Sequence, residues 1–135
     1  MSLKKVVILA ALFCCGIAAA QKPAAAPAYA PKYDPRRAVQ DISVGKFYMD
    51  RGDIHGAIAR FKDAIEYKPN YAEPCLLLGQ AYEKKGDPVR AVDYYQRYLK
   101  ILPRGRDSRK VRERIAKLEE KIKQEKSAAR NPSGS

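Results

Sequence analysis

A single histidine, His55, and no tryptophan occur in the 135 residues. Histidine is the usual proton shuttle and the commonest metal ligand near neutral pH. His55 also has no partner residues nearby at metal-ligand spacing. Cysteine is nearly as scarce. Cys14 and Cys15 fall in an apolar run near the start, which leaves only Cys75 in the rest of the chain. One thiol cannot close an internal disulfide, and Cys75 falls on the apolar side of an expected helix, where it reads as a small core residue. There is no glycine-rich phosphate loop and no serine in a nucleophile setting. These absences predict a non-enzymatic chain with no cofactor and no metal.

Long apolar runs are missing too. The longest, VVILAALFCCGI at 6–17, is shorter than the roughly 18–20 residues that a membrane-spanning helix requires. Lys4 and Lys5 precede it, and Ala18-Ala19-Ala20 supplies small residues after it. That is the layout of a secretory signal, expected over 1–20 with cleavage after Ala20. An uncleaved anchor is the alternative. Lipidation at Cys14 or Cys15 is another, although the residue before a lipidated cysteine is usually Gly or Ala and here it is Phe13 or Cys14. The expected location is the periplasm or cell envelope.

Acidic residues are outnumbered: 15 Asp plus Glu stand against 27 Lys plus Arg, a formal charge of +12. Removing Lys4 and Lys5 lowers this to +10. In the cytosol such a balance would suggest nucleic acid. In an exported chain the anionic surfaces are lipid head groups, wall polymers and acidic proteins, so no nucleic-acid partner is expected.

The segment QKPAAAPAYAPKY at 21–33 spaces Pro23, Pro27 and Pro31 four apart. Proline removes backbone donors and blocks regular helix, so this reads as a semi-extended linker. Asp34-Pro35 then opens the first of five expected helices, at about 35–50, 54–68, 72–85, 88–101 and 107–127.

The strongest signal is internal. VGKFYMDRGDIHGA at 44–57 returns 34 residues later as LGQAYEKKGDPVRA at 78–91. Gly45 matches Gly79, Tyr48 matches Tyr82, and Gly52-Asp53 matches Gly86-Asp87. Ala57 matches Ala91, Phe61 matches Tyr95, Ala64 matches Tyr98, and Pro69 matches Pro103. Each match has a physical reading. Gly52 and Gly86 end a helix in the left-handed region, and Asp53 and Asp87 cap the next one. Pro88 stands in a first turn, where its missing N–H costs nothing. Gly45 and Gly79 allow a close helix approach, for which Ala57 and Ala91 offer a small matching face. Tyr48, Phe61, Tyr82, Tyr94, Tyr95 and Tyr98 fill the space between helices. Asn70 with Glu73 has the spacing of a capping box for the third helix.

This pattern resembles the tetratricopeptide repeat, a helix–turn–helix unit of this length. The resemblance covers 38–103 and implies an all-α fold. Two tandem units, about 38–71 and 72–105, would form a short right-handed superhelical array. Such arrays need a polar-backed terminal cap. The fifth helix fits, with Val111, Ile115, Leu118 and Ile122 as one stripe and charge elsewhere; the charged capping helix is expected over 106–127 and a disordered tail over 128–135.

The resemblance further implies a scaffold that binds a peptide or helix of another protein on a concave face made by the first helix of each unit. The positions there are Ile42, Lys46, Met49 and Asp50, then Leu76, Gln80, Glu83 and Lys84. The family's carboxylate clamp is not formed, because Ile42 and Leu77 stand at two of its places. Two units also leave the face before the first helix uncovered, which favours a homodimer or partner docking there. Two alternatives stay open. VGKFYMDRGDIHGAIARFKDAIEYKP at 44–69 is similar to a unit of the outer-membrane-assembly lipoproteins, implying a tethered role in that process. Arg104, Arg106, Arg109, Lys110, Arg112 and Arg114 form a basic patch that would suit peripheral contact with an anionic membrane or envelope surface.

Overall fold

The computed structural model of the chain describes residues 33–130. The expected signal, nearly all of the linker and residues 131–135 lie outside the described residues. Within them are five helices: α1 (Pro35–Asp50), α2 (Ile54–Tyr67), α3 (Ala72–Lys85), α4 (Pro88–Ile101) and α5 (Ser108–Arg130). There is no strand among the described residues. The helices pack in chain order, α1 on α2, α2 on α3, α3 on α4 and α4 on α5.

The helix starts follow from local chemistry. The Asp34 carboxylate accepts hydrogen bonds from the N–H groups of Arg36 and Arg37, both at 3.1 Å. Asp53 accepts from Gly56 N–H at 2.8 Å, and Asp87 from Arg90 N–H at 3.0 Å. Each satisfies a donor that the first helical turn leaves orphaned. The turns between paired helices are copies of each other. Gly52 and Gly86 both have φ of 79°. Asp53 N–H reaches Tyr48 C=O at 2.9 Å, and Asp87 N–H reaches Tyr82 C=O at the same distance.

The start of α3 departs from expectation. Its cap is Tyr71, which makes no side-chain cap hydrogen bond. Glu73 does not fold back on the helix, because its carboxylate is held by Lys46 Nζ at 2.6 Å and the Tyr71 hydroxyl at 3.1 Å. A charged partner on a neighbouring helix outcompetes the backbone N–H.

The mid-helix glycines also have a different neighbour from the one expected. A Cβ on Gly45 would collide with the Phe61 ring, and one on Gly79 with the Tyr95 ring. The close approach is therefore made to aromatic rings. Ala57 and Ala91, fully buried, sit one turn before those rings. Phe61 and Tyr95 are themselves completely buried, in a core with Cys75, Leu78, Ala81, Tyr82 and Tyr98. Cys75 packs as a small core residue, its thiol donating to Tyr71 C=O at 3.5 Å, with burial pushing that thiol's pKa up.

The last helix covers the open side of α4. Val111 is 1% exposed, and Ile115 and Leu118 pack against the core. Ser108, also buried, donates its hydroxyl to Leu102 C=O at 2.7 Å. α5 continues through residues 128–130, which were expected to be disordered. Ala128 and Ala129 are strong helix formers, and the helix simply propagates through them. Its second half is exposed except at Ile122.

Candidate functional site on the first-helix face

The first helix of each unit, α1 and α3, shares one face of the molecule with α5. The register explains this. Pro74, Leu77, Ala81 and Lys84 in α3 correspond, 34 residues on, to Ser108, Val111, Ile115 and Leu118. The first three of each set are buried or half-buried, as is Leu118. So α5 sits on α4 through the same positions by which α3 sits on α2, and it occupies the place of a third first helix.

Ion pairs stitch this face together. Lys46 of α1 meets Glu73 of α3 at 2.6 Å. Burial opposes ionisation of Glu73, yet the hydrogen bonds from Lys46 and Tyr71 and the lysine charge outweigh it and hold the carboxyl below its usual value. Further along, Glu83 of α3 accepts from the Arg114 guanidinium of α5 at 2.6 Å and from the Tyr95 hydroxyl of α4. Arg114 also donates to that hydroxyl at 3.1 Å. One carboxylate thus fastens three helices. Burial first, and then its hydrogen bond to Glu83, drive the Tyr95 pKa up.

The expected binding residues separate into distinct groups. Gln80, Glu83 and Lys84 come together with Arg114 around an open depression of about 390 Å³ between α3 and α5. Asp50 is exposed on its own. Met49 and Leu76 are half-buried and pack against the core. Ile42 is a correction: it is 4% exposed, in a small cluster with Ala38 and Ala64 flanked by Tyr67, Tyr71 and Leu77. An apolar residue on the side of α1 that meets both α2 and α3 is removed from water, so Ile42 presents nothing to a partner.

The basic patch needs one correction of the same kind. Arg104, Arg106, Arg109, Lys110 and Arg112 are exposed, with Arg112 donating to Pro103 C=O at 2.6 Å. Arg114 is not part of a solvated run, because its charge is spent on Glu83. What sequence reasoning missed was this pairing. The signal for it lay in a difference between the copies: Met49, Phe61 and Gln80 become Glu83, Tyr95 and Arg114 at the 34-residue offset, an uncharged trio turned into a hydrogen-bonded, ion-paired one.

Comparison with known families agrees with the helix register. The TPR repeat family profile matches residues 45–86, and the tetratricopeptide repeat profile matches 72–104. Residues 45–104 are tetratricopeptide repeats. A comparison with curated proteins gives no match. Tetratricopeptide repeats are typically non-catalytic and mediate protein binding, and no enzyme family is matched. Among the described residues no group of His, Cys, Asp and Glu is placed to hold a metal ion, and no helix is long and apolar enough to cross a membrane.

Proposed function

We propose that this chain is an adaptor exported to the cell envelope, which binds a peptide or helix of another protein on the face formed by α1, α3 and α5. The observation that carries this reading is the depression lined by Gln80, Glu83, Lys84 and Arg114. It lies on the face that repeat arrays use for binding, and it joins residues of two successive helices in that role. Its rim combines a carboxylate, a guanidinium, an amide and an exposed lysine, a set that suits the polar side chains and main chain of a partner segment. Export rests on residues 1–20, where a charged start, a short apolar run and small residues follow one another.

The test is photocrosslinking in intact cells, with a photoreactive residue in place of Gln80 or Lys84 and, for comparison, in place of Glu125, which is exposed near the far end of α5. Reproducible capture of one envelope protein from the first two positions and not the third is the expected result. Equal capture from all three would sink the assignment of this face. The mass of the mature chain checks export separately: a chain that starts at Gln21 is expected, and an intact amino terminus would refute cleavage.

A further inference from the structure

We propose that the molecule carries a second docking groove, between α2 and α4, and that it takes an acidic segment of polypeptide. Two cavities of about 500 Å³ and about 730 Å³ run along α4, and Asp93 and Arg97 line both, so the two form one trough. The first is bounded by Lys62 of α2 and by Arg90 and Arg97 of α4. Its floor is aromatic: Tyr82 and Tyr94 stack with centroids 5.4 Å apart and planes 8° from parallel. The second continues to Gln96, Lys100 and the Pro69-Asn70 turn. Four cations thus face the trough against one carboxylate.

The state of those cations separates this trough from the first-helix face. There, Lys46 is held by Glu73 and Arg114 by Glu83, which leaves Lys84, among the described residues, as the one unpaired cation lining the depression. In the trough, Arg90 leans on Asp87 at 3.3 Å and lies 5.6 Å from the centre of the Tyr82 ring. Lys62, Arg97 and Lys100 make no ion pair among the described residues. Partners are within reach in sequence. Asp93 stands four residues before Arg97, and Glu66 four after Lys62, a spacing at which helical charges commonly pair. Neither pair closes to a salt bridge.

Charge complementarity decides the class of occupant. Three unmatched cations, Lys62 and Arg97 beside the aromatic floor and Lys100 farther along the trough, suit carboxylates borne on a chain that also offers apolar contact. Asn70 and Gln96 supply amide groups of the kind that pair with a main chain. A continuous row of phosphates, as in a nucleic acid or a lipid surface, would meet the Asp93 carboxylate in the middle of the trough. A polypeptide spaces its carboxylates and can turn a backbone N–H toward Asp93.

The test uses the full chain and a fluorescein-labelled, glutamate-rich peptide with one tyrosine, beside the same peptide with glutamine for glutamate, read by fluorescence anisotropy. The acidic peptide is expected to bind, more weakly as salt rises, and the glutamine peptide is not. Lys62→Glu combined with Arg97→Glu should weaken binding by about tenfold or more, and Arg97→Gln alone by about threefold. Lys84→Glu, on the first-helix face, should leave it unchanged. Thermal melts establish that each variant is folded; the substituted side chains are exposed. Absence of peptide binding, equal binding of both peptides, or a loss caused by Lys84→Glu and not by the trough variants would overturn the proposal. So would binding to phosphatidylglycerol vesicles or single-stranded DNA that depends on Lys62 and Arg97 while the peptide is ignored. Because Lys84 reports on the first-helix face, failure here leaves the proposed adaptor function standing, and the reverse also holds.

Discussion

The two repeat units share a backbone and differ at their centres. In the first, Phe61 fills the space under Gly45. In the second, Tyr95 fills the space under Gly79 and extends a hydroxyl to Glu83 and Arg114. Both rings are fully buried. The first therefore holds by packing alone, while the second adds a polar anchor at the edge of the core. The difference has a location: the anchor lies where α5 joins the array, and α5 packs chiefly on α4. A helix covered on one side has less apolar area to bury, and the directed contact adds to the Ser108 and Arg112 hydrogen bonds that fix the start of α5.

Removing the rings should have the largest effect. Phe61→Ala and Tyr95→Ala are each expected to cost about 3–5 kcal/mol through lost burial and a residual cavity, measured by urea denaturation. Only Tyr95→Ala should also make α5 an early target in limited proteolysis. If both variants loosened α5 equally, the anchor would have no separate existence. Filling the glycine positions comes next. Gly45→Ala and Gly79→Ala should each destabilise by about 1–3 kcal/mol, because ring displacement in a close-packed core outweighs the gain in helix propensity. A stabilised variant in the same denaturation assay would show that the rings can give way.

Tyr95→Phe separates the anchor from the packing. It keeps the ring and removes the hydroxyl, at an expected cost of about 1 kcal/mol. It should also change the alkaline limb. The folded pKa of Tyr95 is raised, so its contribution is complete below the ordinary tyrosine value near 10 and is lost as pH climbs beyond it. Tyr71 and Tyr94 are raised too, so Tyr95→Phe should make the alkaline loss of melting temperature shallower without abolishing it. An identical slope in the variant would remove Tyr95 from that account.

The smallest effect is expected at the other stitch. The Glu73 carboxyl is held below its ordinary 4.5, so its contribution is present above that value and fades as pH falls below it. Asp41, raised by burial and by Asp63, works in the opposite direction. Glu73→Gln should therefore flatten part of the acid limb, and it should cost about 0.5 kcal/mol at neutral pH because the pair is exposed. A melting temperature that fell equally in both proteins between neutral pH and pH 3 would mean that the pair is inert.

The fold was legible because each element carries its own signal. Asp34, Asp53 and Asp87 announce helix starts, Gly52 and Gly86 announce turns, and the 34-residue offset ties them into units. These effects act within a few residues, so one sequence suffices to read them. The candidate face was legible only in part. Helical position placed Gln80, Glu83 and Lys84 on one face. It could not show that Ile42 is buried or that Arg114 is paired, since both depend on side chains 22 to 35 residues away in sequence, such as Ala64, Leu77 and Glu83. Glu73 is the same case: its spacing from Asn70 suits a local cap, but Lys46 arrives from the preceding unit and holds the carboxylate. The trough between α2 and α4 was invisible as well, because Lys62 and Arg97 become neighbours only when the second helices of the two units lie side by side.

The register of α5 has a consequence for the growth of the array. Where α3 turns Cys75, Leu78, Gly79 and Tyr82 toward α4, α5 carries Arg109, Arg112, Glu113 and Ala116 at the same places. In polymer terms α5 is an end group. It accepts the last monomer through one face, and on the other it has no reactive site for the next. Those four side chains leave α5 without the apolar surface that α3 offers α4, so further units are expected to fit better before Ser108 than after it.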